Sequence, residues 1–222
     1  MKVALLTIVL AFGLAAPAGA FLDAGDGVLT VPPPPRLPTP PDPPRVEIRW
    51  RDSVALGSPS AGRLVRGVQL PAEAPLFFTW DPLLHRRPNR AWRRHGTDSL
   101  VRIVLRVVRA YARAHPQAAR VGVGDFSRPR GGPFGSRHVS HQNGLDVDVY
   151  YPRRDRRERP PKRPRQVDRR LAQDLVDRFV RAGAERVFVG PNVRLAGRSG
   201  VVQMLAGHDN HLHVRIDGAT TR

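Results

Sequence analysis

Two short histidine clusters carry the chemistry this chain could do. The first is His138-Val139-Ser140-His141, running on through Gln142-Asn143-Gly144-Leu145-Asp146-Val147-Asp148, and the second is His208-Asp209-Asn210-His211-Leu212-His213. Five of the eight histidines fall in these two places. A tetrahedral metal needs three or four lone-pair donors converging from rigid backbone, and a His with an Asp on one element plus a His-x-His on another supply them. Three protein ligands leave a fourth position for water. Zinc lowers that water's pKa to about 7, which makes hydroxide available at neutral pH. A nearby imidazole can take and return the proton, and His211 is the candidate for that task. The residues alone leave open which of His138 and His141 ligates.

These side chains need elements to bring them together. His141 and Asp148 are seven residues apart, which is not the i, i+4 spacing of a helical His-Glu-x-x-His site, and Asn143-Gly144 between them suits a turn. A strand after that turn puts Asp146 and Asp148 on one face, and His211 and His213 share a face if Leu212 is extended between them. Asp146 then either orients a ligand histidine or ends a strand in solvent. Strand-type runs are expected at Val46-Ile48, Arg120-Val123, Leu145-Tyr151, Arg186-Val189 and His213-Ile216. Leu100, Ile103, Val104, Val107, Val108 and Tyr111 recur at helical spacing, opened by Thr97 or Asp98 and closed before Pro116. Val167, Leu171, Leu175, Val176 and Phe179 mark a second helix ending at Gly183. The predicted architecture is α+β: a small, mainly antiparallel sheet carrying the metal ligands, flanked by the two helices.

The ends of the chain read differently. Residues 1–20 have the form of a signal peptide: Met1-Lys2, an apolar run from Val3 to Ala16, and Ala18-Gly19-Ala20 before Phe21. Residues 21–45 are expected to be a proline-rich linker of extended polyproline type, and residues 46–222 the folded domain that carries the metal-site pattern. An exported protein, in the periplasm or outside the cell, is expected, with no transmembrane segment in the mature chain, since no later run approaches the roughly 20 apolar residues a span requires. There are no cysteines, so packing and bound metal must stabilise the fold without disulfides. The formal net charge of +18 calls for a negatively charged partner. For an exported protein that is an anionic cell-wall surface rather than nucleic acid, for which no helix-turn-helix or finger signature is present. Arg153 to Arg165 is dense in charge and proline and is expected to be an exposed loop. Arg128 and Asp125 lie in a Gly- and Pro-rich loop, where an arginine can hold a substrate carboxylate.

The runs Gly124-Asp125-Phe126-Ser127-Arg128-Pro129-Arg130-Gly131-Gly132, His138 to Asp148, Arg186-Val187-Phe188-Val189 and His211-Leu212-His213-Val214-Arg215 resemble the penicillin-insensitive murein endopeptidases. These belong to the wider group of lysostaphin-like, D-Ala-D-Ala-cleaving and hedgehog-like zinc folds. Ser58, Gly62, Leu64, Gly67, Leu70 and Pro71 are similar to that family's N-terminal segment, so the likeness covers most of residues 53 to 216. The resemblance implies Zn2+ held by His141, Asp148 and His213, His211 as base or transition-state stabiliser, and His138 and His208 as auxiliary imidazoles at the edge of the site. It implies peptidoglycan stem peptides as substrate, cut chiefly at a D-alanyl bond to diaminopimelate without an acyl-enzyme. The absence of Gly-x-Ser-x-Gly and Ser-x-x-Lys motifs agrees with a metal route. The same metal set serves a D,D-carboxypeptidase or dipeptidase. A non-catalytic zinc-stabilised binding module would close its coordination sphere and need no free imidazole beside it. Arg153 to Arg165 departs from the family's pattern, being unusually basic where substrate-facing loops are expected.

Overall fold

The computed structural model describes residues 47–135 and 138–218; the expected signal peptide and linker lie outside the described residues. Eleven strands and two α-helices follow in chain order: β1 (Val54–Ser58), β2 (Ala61–Val65), β3 (Val68–Gln69), β4 (Glu73–Ala74), β5 (Phe77–Thr79), β6 (His95–Gly96), α1 (Asp98–Ala114), β7 (Val121–Val123), β8 (Asp146–Tyr150), α2 (Arg169–Arg181), β9 (Ala184–Val189), β10 (Val202–Met204) and β11 (His211–Ile216). Seven strands form the main sheet in the order β10-β9-β11-β8-β7-β5-β4. Its pairs are antiparallel except β10 with β9 and β5 with β7. The fold is α+β.

Alternation along the two central strands sorts the sheet into a dry face and a polar face. Val147 and Val149 of β8, and Leu212, Val214 and Ile216 of β11, are completely buried in the core. Asp146, Asp148 and Tyr150 therefore point the other way, as do His211, His213 and Arg215. Antiparallel register sets His213 opposite Asp148, Arg215 opposite Asp146 and His211 opposite Tyr150. Directly opposed residues have Cβ atoms about 5 Å apart, so each polar pair meets without long side chains having to bend back.

Both helices form where their apolar spacing places them. In α1 the Thr97 side chain accepts from Leu100 N at 3.2 Å, satisfying one of the amides a helix start leaves orphaned. Leu100, Val101, Ile103, Val104, Val107, Val108 and Tyr111 are buried. Pro116 has no N–H to extend the ladder, and the helix stops two residues before it. In α2 the cap is Asp168, accepting from Leu171 N at 3.1 Å. Val167 thus lies ahead of the helix rather than in its first turn, although it is buried in the same core.

Three expectations change. The residues from Glu47 to Trp50 form no strand, and Val46 lies outside the described residues. Strands β1 to β6 and β10 had no visible period, because most are two or three residues long and β1 and β2 are largely exposed. The run from Arg153 to Arg165 is not simply exposed: Arg153 is buried, forked onto Asp155 at 2.7 and 2.5 Å and bonded to Gln166 Oε1 at 3.1 Å. Pairing neutralised the desolvation that composition alone assigns to such a segment.

The β1–β2 hairpin braces the loop that bears His138 and His141. Gln142 N donates to Pro59 O at 3.0 Å, Asn143 Nδ2 to Gly57 O at 3.3 Å, and Gly132 N to both Gly62 O and Gln142 O. Gly131 sits at the centre of this junction with φ +70°, where a Cβ would lie 2.1 Å from Gln142 O and 2.6 Å from Leu64 N, both backbone atoms that cannot swing aside. Gly131→Ala is therefore expected to destabilise the fold by about 2 kcal/mol or more, combining a left-handed backbone with a clash. Chemical denaturation measures it, and an unchanged midpoint would contradict this account of the junction.

Candidate metal centre

His141 enters the site with φ +68°, a left-handed conformation that is rare for a residue with a side chain. Two bonds hold it there. Its backbone N donates to Asp146 Oδ2 at 2.9 Å, and its Nδ1 lies 2.6 Å from Phe126 O. A carbonyl only accepts, so Nδ1 carries the proton and Nε2 keeps its lone pair. His213 is fixed in the opposite sense: Nε2 donates to Asp146 Oδ1 at 3.1 Å, leaving the lone pair on Nδ1. Arg215 Nε also donates to Asp146 Oδ1 at 2.7 Å, so this carboxylate orients both histidines and is itself anchored.

Three electron-rich atoms consequently converge. His141 Nε2 and His213 Nδ1 are 3.1 Å apart, and Asp148 Oδ1 lies 3.3 Å from the first and 3.2 Å from the second. Asp148 Oδ1 is buried and makes no hydrogen bond. Two facing lone pairs and an orphaned carboxylate oxygen repel unless a cation lies among them. The edges of a tetrahedron around zinc, with bonds of about 2.0 to 2.1 Å, are about 3.3 to 3.4 Å, so the donor set fits such an ion. Without metal a proton takes the cation's place on His213 Nδ1: burial works against it, yet Asp146 and Asp148 lift the His213 pKa to about 9, and an ion bound there would displace that proton.

The other histidines surround this trio. His138 lies close enough to form an alternative donor group with His141 and Asp148, their ligand atoms within 4.8 Å of one another. Its Nε2, however, is 3.2 Å from Asp125 Oδ2 and 3.8 Å from Asp148 Oδ2. Burial opposes its charge, but these two carboxylates raise its pKa to about 9, and with Asp125 Oδ2 the nearer of them this nitrogen is spent on a carboxylate outside the trio. Asp125 is fully buried, forked by Arg93 at 2.7 and 2.5 Å and bonded by Asn89 Nδ2 at 2.9 Å. His211 is the opposite case. Burial, with His208, His213 and His141 nearby, outweighs Asp148 and lowers it to about 4. Its Nδ1 donates to Asn210 Oδ1 at 2.6 Å, and its Nε2 is 3.6 Å from Asp148 Oδ1. A neutral imidazole with a lone pair toward the centre is placed to accept a proton. His208 packs 4.7 Å from His211 and 6.0 Å from His213, ring to ring, and burial lowers its pKa.

Comparison with known proteins matches this frame. The profile of the penicillin-insensitive murein endopeptidase family matches residues 55–189. The chain belongs to this family. A penicillin-insensitive murein endopeptidase of Yersinia pestis bv. Antiqua is 28% identical, covering 72% of this chain and 66% of that protein. Its namesake in Yersinia enterocolitica is 30% identical over 45% of this chain and 46% of that protein, and one from Pectobacterium atrosepticum is 31% identical over 45% and 44%. The chain thus spans between about two fifths and two thirds of the length of these curated relatives.

Within this murein endopeptidase fold, the six residues expected to ligate the metal or act beside it, His138, His141, Asp148, His208, His211 and His213, gather around one point on the polar face. Asp125 and Arg128 part company: Asp125 supports His138, whereas Arg128 lies on the Trp92 ring at 5.3 Å. Phe77 and Phe78 are core, while Trp80 lines a cleft beside the centre. Sequence reasoning missed Arg93, Asn89 and the Phe126 carbonyl. Arg93 carried no signal in a chain so rich in arginine, and a backbone carbonyl has no sequence signature at all.

Proposed function

We propose that this chain is an exported zinc-dependent endopeptidase that hydrolyses peptide cross-links of peptidoglycan, at the D-alanyl bond to diaminopimelate. The observation that carries the reading is the trio of His141 Nε2, Asp148 Oδ1 and His213 Nδ1 at mutual distances of 3.1 to 3.3 Å, two lone pairs and an orphaned oxygen, in a chain of the murein endopeptidase family. These three residues would hold Zn2+, which when bound supplies a Lewis acid that activates water and polarises a carbonyl. His211 accepts the proton of the attacking water at Nε2 and returns it to the leaving amine. Asn210 keeps the His211 tautomer that makes this possible. His138, its Nε2 held by Asp125, brings positive charge beside the oxygen on which negative charge develops, and His208 closes the edge of the site. The imidazoles beyond the trio favour catalysis over a purely structural site, which needs no such neighbours. No helix among the described residues is long and apolar enough to cross a membrane.

The test is digestion of purified sacculi with and without chelator, followed by mass separation of the released muropeptides. Chelator-sensitive conversion of cross-linked dimers to monomers is the expected result, and His211→Ala is expected to lower the rate by about 10² to 10⁴ while retaining the metal. Shortened monomers without loss of dimers would mean carboxypeptidase trimming instead. Unchanged muropeptides from metal-loaded protein would refute the proposal.

A further inference from the structure

The polar face continues past the metal centre into a cleft of about 730 Å³ lined by Trp80, Tyr150, Arg159, Lys162, Asp209 and Asn210, among others. The cleft and the centre share residues. Tyr150 is two positions beyond Asp148 on the same face of β8, about 7 Å further along the strand, and pairs with His211 in register. Asn210 is the residue that fixes the His211 tautomer. A peptide bound at the centre and extended along β8 runs into this cleft.

The wall of basic residues is built to stay where it is. Gln166 Oε1 accepts from Arg153 Nη1, from Lys162 N at 2.7 Å and from Arg163 N at 3.3 Å, closing the segment on itself. Glu158 ties it to the sheet edge through Arg120 Nε and Nη2, both at 2.7 Å, and through Arg87. Both acids of the segment are thereby used: Asp155 by Arg153 and Glu158 by Arg120 and Arg87. Arg159 and Lys162 are left over. Neither side chain has an ion pair or hydrogen bond among the described residues, and Arg159 Nε is shut off from solvent with no partner. Asp209, the acid lining the cleft, is occupied by Asn192, through its backbone N at 3.1 Å and its Nδ2 at 2.7 Å. A guanidinium partly stripped of water, beside an indole and prolines, is costly unless an anion completes it.

We propose that Arg159 and Lys162 form a subsite for a free carboxylate of the peptide being cut, with Trp80 covering the adjoining apolar part of that peptide. This rests on the peptidase reading of the neighbouring centre. Arginine's planar fork matches a carboxylate with two parallel hydrogen bonds, and lysine adds a point charge that does not constrain the approach. Because the loop is already locked, little ordering is left to oppose binding.

The experiment uses two cross-linked peptides that differ only in whether one stem carboxylate is free or amidated, offered to wild type, Arg159→Ala and Arg159→Lys. Wild type is expected to favour the free carboxylate roughly ten- to a hundredfold in kcat/KM, with the difference in KM. Arg159→Ala should lose the preference, its kcat/KM for the free-carboxylate peptide falling to that for the amidated one, and Arg159→Lys should keep part of it. Equilibrium binding of the same two peptides is measured in parallel. Cleavage of neither peptide by metal-loaded wild type would sink the peptidase reading. Equal binding of both by wild type, or an undiminished preference in Arg159→Ala, would overturn the subsite itself.

Discussion

His141→Ala is expected to abolish cleavage of cross-linked sacculi, lowering the rate by about a thousandfold or more, and to remove the bound metal with it. The size of the effect follows from what His141 does structurally. Its Nε2 is one corner of the donor triangle, its Nδ1 is spent on Phe126 O, and its backbone N on Asp146. No neighbour can move in to replace it, because His138 Nε2 is engaged by Asp125. Metal content and activity measured on the same preparation should fall together, whereas in His211→Ala only activity should fall. A variant at His141 that keeps both a full complement of metal and its turnover would contradict the assignment of the ligand trio.

Arg93→Ala should be among the most destabilising surface-distant changes in the molecule, costing about 3 to 5 kcal/mol. Both partners of the pair are almost wholly buried, Arg93 at 2% and Asp125 at 0% exposure. Removing the guanidinium leaves Asp125 with Asn89 and His138 as its polar partners. Burial raises the Asp125 pKa, but His138 and Arg93 overcome it and hold the carboxyl below its ordinary value of 3.8. A depressed carboxylate contributes stability above its unfolded pKa and loses it as pH falls through the folded one. The wild-type advantage over Arg93→Ala should therefore be full at neutral pH and shrink in acid. Replacing both partners with apolar side chains of similar size, Arg93→Met with Asp125→Leu, should recover most of the stability while leaving His138 unanchored. Denaturant midpoints across pH read all of this, and a loss under about 1 kcal/mol for Arg93→Ala would show that the pair is not holding the site.

What was legible in the sequence follows from period and from rarity. Alternation in Asp146-Val147-Asp148-Val149-Tyr150 and in His211-Leu212-His213-Val214 announces strands with one polar face, because a pleated strand has no other way to sort such residues. The α1 and α2 spacings are equally plain, and their caps sit at Thr97 and Asp168. Histidine is scarce enough that two clusters of it stand out. Arginine is not, so the one copy that anchors Asp125 and the one that faces the cleft could not be told from the rest. The hairpin of β1 and β2 escaped notice for a related reason: it grips the loop of His138 and His141 chiefly through the carbonyls of Gly57, Pro59 and Gly62, groups every residue has.

The pairing of His213 with Asp148 across adjacent strands has one more consequence. Since side chains alternate faces, a slip of a single residue between β8 and β11 would swing valine or leucine into the place of a ligand and bury the ligand among the core side chains. There is no half-assembled version of the donor set. An ion held by these residues, as proposed, would be retained only by molecules whose central strands have paired correctly, so occupancy would act as a proofreading mark, and a chain misfolded here would be disarmed rather than left loose as a poorly controlled hydrolase.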